Sequence, residues 1–353
     1  MSLPTEPIGS IPRPAYLLDG LTDFAAGRID RAALDELSAS ALRETIERLE
    51  QAGSPVVTDG EQTKPSFLTY PLAGLDLAPD GVVVPFADGH TRVLPRLVSG
   101  PFRYGAHAAD YLEAAKSVAS RPVKQAVIAA SALSLIYPAD GIDGYPREQF
   151  LADLVDECEQ DIRRCLDAGA STVQLDFTEG RLSVKLDPSL SLLKSFVDLN
   201  NQVLDRFTEQ ERARIGVHTC PGGDQDSPHS LDVDYAELLP SLFSLRAGNF
   251  YLQLASEPDP DRVLAVVREH SRPDQRVFVG VIDPIDPTVE TPELVRDRVL
   301  RAARYIEPSR LGTCDDCGFS PFADDTSTSR ETAFAKVAAR VAGTTAAGEQ
   351  LGV

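Results

Sequence analysis

The sequence predicts an α/β protein, a single (β/α)8 TIM barrel that carries a β-hairpin insertion. Three observations lead there. Short β-branched or apolar runs alternate eight times with amphipathic helical stretches, the order that builds a parallel sheet with helices outside it. Polar and ionisable residues gather where those runs end, and a barrel of this kind carries its chemistry at the C-terminal ends of its strands. No G-x-G-x-x-G follows the first run, which removes the usual support for an open doubly wound sheet.

Taken in order, the first run is Ile8-Gly9-Ser10, the shortest of the set. A helical stretch from about Arg31 to Ala52 leads into Pro55-Val56-Val57-Thr58-Asp59. Gln125 to Ala130 is third, and Thr172 to Asp176 is fourth, after a helix from about Glu148 to Ala168. Ile215 to Cys220, Phe250 to Ala255 and Val277 to Asp283 follow, and Leu311 to Cys314 is the last and weakest. A barrel of this type needs about 250 residues, so the surplus falls in insertions. The stretch from about residue 69 to 104, rich in Val, Pro and Gly, reads as an extra β-hairpin, and 137–146 reads as a Gly/Pro/Asp loop. No linker divides the chain, so residues 1–353 are expected to form one domain. The small residues of 341–353 predict a frayed end.

Composition narrows the function classes. The 353 residues include 34 Lys+Arg against 54 Asp+Glu, a net charge of −20. That balance argues against nucleic acid, whose phosphates need a basic surface, and against an anionic membrane face. No apolar run approaches the ~18 residues of a membrane span, and the N-terminus shows no export signal. Five cysteines do not pair off into a disulfide framework. A reduced, cytoplasmic protein with thiols free for metal or redox work is expected.

The polar strand ends are Ser10, Asp59, Glu61, Ser131, Asp176, His218, Cys220 and Asp283. Helix capping accounts for an Asp or Ser at such a place but explains little about His218-Thr219-Cys220. Residues i and i+2 of a strand share a face, so an imidazole and a thiol project side by side. Both suit Zn²⁺. Further ligands would come from Cys314 and Cys317 after the last strand, because all strand ends of a barrel converge on one mouth. The alternative is a set of buried free thiols. Cys158 and Cys165, seven apart on a helix, read as core. His229, in the polar loop beyond Cys220, is placed to line the mouth. His90, His107 and His270 have weaker claims.

Five motifs in order resemble the C-terminal catalytic domain of the cobalamin-independent methionine synthases and their stand-alone relatives, which include zinc transferases that open epoxides with coenzyme M. Pro7-Ile8-Gly9-Ser10-Ile11-Pro12 resembles the family's I-G-S-F-P, and Asp59-Gly60-Glu61 its H-G-E. Val173-Gln174-Leu175-Asp176 resembles I-Q-x-D-E-P, His218-Thr219-Cys220 resembles H-x-C, and Asp316-Cys317-Gly318 resembles P-D-C-G. The resemblance implies a (β/α)8 barrel that uses zinc to activate the thiol of homocysteine for methyl transfer. It implies His218, Cys220 and Cys317 as zinc ligands. It implies Ser10, Glu61 and Asp176 as holders of the thiol substrate, with the backbone around Ile8 against it.

Two departures qualify the resemblance. The family's Glu ligand in the sixth strand falls at Ala255 here, with Glu257 two residues late. After the seventh strand the family has D-I-H-S-P, whose His protonates the folate leaving group. This chain has Asp283-Pro284-Ile285-Asp286-Pro287, with Ile285 in place of the His. Asp283, Asp286 or His229 then takes the proton-donor role, or the leaving group needs no proton. The folate-binding N-terminal half of the long enzymes has no counterpart in the sequence, so folate is expected to be a poor donor.

The expectation is therefore a zinc-dependent transferase that moves a methyl or other alkyl group onto a small-molecule thiol, with homocysteine leading. The donor would be a corrinoid, which a corrinoid protein could carry, or a sulfonium or an epoxide. Glu61 and Asp176 suit a substrate ammonium. A sulfonate thiol such as coenzyme M would prefer Arg or Lys, for which Arg13, Lys64 and Arg147 are near in sequence. A zinc hydrolase or decarboxylase on the same barrel, or a non-catalytic zinc protein, are the other classes.

Overall fold

The structure is a computed structural model that describes residues 2–353. Among the described residues are ten strands: β1 (Leu77–Pro85), β2 (Thr91–Leu97), β3 (Gln125–Ile128), β4 (Val173–Asp176), β5 (Ile215–Thr219), β6 (Gly223–Asp224), β7 (Ser227–Pro228), β8 (Asn249–Leu252), β9 (Arg276–Ile282) and β10 (Leu311–Asp315). Six of them form one parallel sheet in the order β3-β4-β5-β8-β9-β10. Helices pack outside it. Every residue of β3, β4, β5 and β8 is buried, as expected for parallel strands covered on both faces. That is why these runs read as continuous apolar stretches rather than as an alternation.

The two first barrel positions are not regular strands. Thr5 forms a single parallel bridge to Thr313 of β10, and Val57 forms one to Val123 just before β3. The two segments meet each other through Ile11 N donating to Gly60 O at 3.0 Å and Thr58 Oγ1 donating to Gly9 O at 2.9 Å. The architecture is TIM-barrel-like, with six regular strands instead of eight. The expected first strand is displaced: pairing occurs at Thr5, and Ile8-Gly9-Ser10 lies beyond it. Glycine and proline in Pro4–Pro14 keep this segment from a longer ladder.

The helix Arg147–Asp167 shows why the outer layer forms. Phe150, Leu154, Cys158, Ile162 and Leu166 recur every fourth residue and are all buried, one apolar stripe facing the sheet. Cys165 is buried beside them. The tail is not frayed. Helix Arg330–Leu351 runs through it, with Lys336, Arg340 and Ala347 fully buried. Small side chains allow close approach here: a Cβ on Gly343 would stand 2.5 Å from Val295 Cβ. The same smallness that suggested fraying lets this helix dock.

The insertion is a hairpin. β1 pairs antiparallel with β2, and its tip is tied over one end of the sheet. Ala87 N donates to Pro228 O at 3.1 Å, and Asp88 N donates to Ser227 Oγ at 3.1 Å. Arg92 joins Asp224, in the short strand β6, to Asp324, in the loop after β10. No helix among the described residues is long and apolar enough to cross a membrane.

Candidate active site

Parallel register brings the site together. Asp176 at the end of β4 is opposite His218 in β5, and His218 Nδ1 lies 3.7 Å from Asp176 Oδ1. Cys220 follows β5 by one residue. Cys317 arrives from β10, and its Sγ lies 3.0 Å from Cys220 Sγ. The ligand atoms of His218, Cys220 and Cys317 all lie within 4.8 Å of one another. Both ring nitrogens of His218 are buried and have no hydrogen-bond partner. Burial, assisted by Lys124, pushes His218 down to about 3, so the ring is neutral and has a lone pair to offer. Buried nitrogens left without partners are costly. These three residues can hold a metal ion, and an imidazole with two thiols is a donor set that fits zinc.

Asp316 anchors the loop that presents Cys317. Its Oδ1 accepts from Leu254 N (2.8 Å) and Ala255 N (2.9 Å), and its Oδ2 accepts from Ser256 N (2.8 Å) and Ser256 Oγ (2.7 Å). Asp316 N in turn donates to Ile282 O at 2.8 Å. The segment after β8 is thereby tied to Asp316 instead of contributing a ligand. Glu257 is drawn away as well, since its carboxylate pairs with buried Arg181 at 2.7 Å. Cys314 is not at the mouth: it packs with Ile8, Tyr251 and Phe278, its thiol 3.6 Å from Phe278 O.

Ile8, Ser10, Glu61 and Asp176 line one small cavity of about 30 Å³ together with His218, Cys220 and Cys317. Glu61 enters it because Gly60 and Glu61 both adopt left-handed backbone, φ +61° and +55°, a turn held by Asp59 Oδ1 accepting from Glu61 N at 2.9 Å. A non-glycine residue at such φ is held by its surroundings. Gly318 has to be glycine, because a Cβ would lie 2.2 Å from Ser10 Oγ. Burial pushes Glu61 up to about 8 against the pull of Lys64, and Glu61 Oε2 has no partner. Asp176 is pushed up to about 6 by burial, opposed by the hydrogen bond from Gln174. Two acids that lose from confinement are poised to accept a cation.

The basic residues nearby are committed. Arg13 donates to the carbonyls of Glu61 (2.7 Å), Lys64 (2.8 Å) and Phe322 (3.0 Å). Lys64 sits 3.6 Å from Asp59, and although burial works against its charge, Asp59, Glu61 and Asp176 lift it to about 12. Arg147 lies over the Tyr137 ring.

The three residues suggested as proton donors are not brought together. Asp286 is exposed and caps Thr288 N at 2.8 Å. Asp283 accepts from Ile285 N at 3.0 Å and lines neither cavity at the mouth. His229 lines a second cavity of about 530 Å³ that adjoins the first through Phe67, Thr178, Gly222 and Gly223. Burial, with Lys185 and Arg181, pushes it down to about 4, so at neutral pH the ring is the neutral imidazole rather than the more acidic imidazolium. Ile285 lines neither cavity but packs behind Gly223, which lines both, its Cδ1 3.7 Å from where a Cβ of Gly223 would be. Sequence reasoning missed Glu179, which lines the second cavity. Its only signal was a Glu three residues past a strand end, and that also describes a helix N-terminus.

With this geometry in view, the comparisons with known proteins are decisive. A family described as cobalamin-independent synthase, catalytic domain, matches residues 3–340. The chain belongs to that family. As a cobalamin-independent synthase domain it is similar to the methionine synthase of Sulfurisphaera tokodaii, 26% identical over 356 residues, which span 99% of this chain and 94% of that protein. The methionine synthase of Sulfolobus acidocaldarius is 24% identical over 322 residues, 90% of this chain and 85% of that one. A B12-independent methionine synthase from Shewanella sp. W3-18-1, solved in complex with selenomethionine, shares the fold with a TM-score of 0.79 at 20% identity, covering 99% of both chains. The synthase domain described here is thus a methionine-synthase-like methyltransferase.

Proposed function

We propose that this chain transfers a methyl group to the thiol of homocysteine, giving methionine, with zinc held by His218, Cys220 and Cys317. The single observation that carries this reading is the one small cavity in which that donor set faces Glu61 and Asp176. Zinc, when bound, supplies a Lewis acid that keeps a thiol deprotonated near neutral pH. The chain's own residues do the rest. Glu61 and Asp176 pair with the substrate ammonium, Ser10 fixes its orientation beside Gly318, and Ile8 and Phe67 close the cavity against water. The commitment of Arg13 and Lys64 supports an amino-acid thiol over a sulfonate thiol. The Shewanella protein's selenomethionine, a methionine analogue, is in keeping with such a cavity.

For the donor, Ile285 offers no proton, and we place folate outside the efficient donors on that ground. General acid assistance is typically worth about 10²–10⁴-fold. The test of the thiol reading is X-ray absorption at the zinc edge while homocysteine is added. A new Zn–S bond is expected. An unchanged zinc environment at saturating homocysteine would sink the proposal.

A further inference from the structure

The 530 Å³ cavity beside the thiol pocket has the size of a small-ligand site. Its walls are largely apolar: Phe67 and Phe86, Leu135 and Leu182, and Val84 and Leu94 of the hairpin. Four ionisable residues face it, namely Arg92, Asp324, His229 and Glu179. The Arg92 guanidinium is shared between Asp224 and Asp324, one positive charge between two negative ones. His229 is neutral and tied through Nδ1 to Ser230 Oγ at 2.5 Å. The cavity therefore has no spare positive charge.

Glu179 is different, and its hydrogen bonds run in one direction. Ser131 N can only donate, and it donates to Asn200 Oδ1 at 3.1 Å. The other amide atom is then Nδ2, which donates to Ser131 Oγ at 2.8 Å. The serine hydroxyl is left to donate to Glu179 Oε1. Glu179 Oε2, buried, has no partner. Burial pushes this carboxyl up to about 8, with Ser131 opposing and Asp176 adding to the rise. A buried carboxyl with one oxygen fixed and the other free is a place for a ligand.

We propose that this cavity binds a methyl sulfonium as the methyl donor, with Glu179 as its counter-ion and Phe67 and Phe86 as its aromatic walls. The proposal rests on the thiol reading above and extends it to the donor class. A sulfonium is a cation with an apolar surround, which phenyl rings and a single buried carboxylate accommodate. When it enters, Glu179 gives up its proton to solvent and pairs with it. The transfer then balances without an acid. The thiol loses its proton to solvent, and a sulfur electron pair forms the new C–S bond to the methyl carbon. The old C–S bond breaks with its pair kept by the leaving sulfur, and two neutral thioethers result. A leaving group that needs no proton accounts for Ile285 at the position of the family's acid.

The experiment supplies zinc-loaded protein and homocysteine with S-methylmethionine, S-adenosylmethionine, methyltetrahydrofolate or methylcobalamin in turn, and measures methionine by mass spectrometry. Turnover from a sulfonium, well above that from the other two donors, is expected, and the two sulfonium arms tell a small donor from a nucleoside one. Calorimetry gives a readout independent of turnover. Glu179→Gln keeps the acceptor for Ser131 and the shape, and should weaken sulfonium binding roughly 10- to 100-fold with zinc content and homocysteine binding unchanged. Two inert sulfoniums that also fail to bind would overturn the proposal, as would a Glu179→Gln variant that binds them as tightly as wild type. Absence of the Zn–S bond with homocysteine would instead fault the thiol reading, and the calorimetry would still judge the cavity.

Discussion

Replacing Cys317 with Ser should strip the metal while leaving the fold intact. Two Zn–S bonds of about 2.3 Å at a tetrahedral angle put their sulfurs about 3.8 Å apart. Cys220 and Cys317 have theirs 3.0 Å apart, so zinc needs the pair to open by about 0.8 Å, a shift within reach of rotamer adjustment at Cys317 next to the cavity. The apparent binding free energy of a four-ligand zinc site is about 10–16 kcal/mol. One thiolate then carries about 3–4 kcal/mol, roughly 10²–10³-fold in affinity. The loop survives because Asp316 holds it through the backbone of Leu254, Ala255 and Ser256, independently of the Cys317 sulfur. The assay is zinc retained after passage over a chelating resin, with circular dichroism as the fold control; Cys220→Ser should behave alike. A folded Cys317→Ser protein that keeps one zinc per chain, or wild type purified from zinc-containing medium with none, would refute the reasoning.

Three further outcomes are expected. Cys314→Ala should retain its zinc and lose about 1 kcal/mol of stability through the small void it leaves against Tyr251 and Phe278; metal loss equal to that of Cys317→Ser would contradict the site. Asp316→Ala abandons four donors, one buried and three half-buried, and should cost about 2–4 kcal/mol in urea unfolding, with zinc affinity falling too, whereas unchanged stability would mean water replaces the carboxylate. Glu61, ordinarily near 4.5, is raised to about 8 in the folded chain, so between those values the folded state holds a proton that the unfolded state has released. Its contribution to stability is complete below about 4.5 and is lost as pH rises through about 8. Glu61→Gln should therefore gain relative to substrate-free wild type on going from pH 5 to pH 8.5 in thermal melts, and should bind homocysteine poorly; an unchanging difference between the two proteins would show that Glu61 does not titrate in that window.

Local chemistry alone made much of this chain legible. The i, i+2 spacing of His218 and Cys220 puts both on one strand face wherever that strand lies, and the stripe from Phe150 to Leu166 buries itself at any helical register. Other features depended on neighbours distant in sequence. Cys314 packs against Ile8, Tyr251 and Phe278, while Cys317 lies in a loop that Asp316 fastens to the segment after β8, contacts that no composition reveals. Glu257 looked available until Arg181, 76 residues away, claimed it. Small residues near the C-terminus suggested fraying, yet packing against Val295 made them the condition for docking. Glu179 was unremarkable in sequence, because its free oxygen is defined by Asn200 and Ser131 arriving from two other elements. Ligand type and spacing along one strand are properties of the covalent chain. Which polar atom is left without a partner is a property of everything packed around it, and only the folded arrangement decides that.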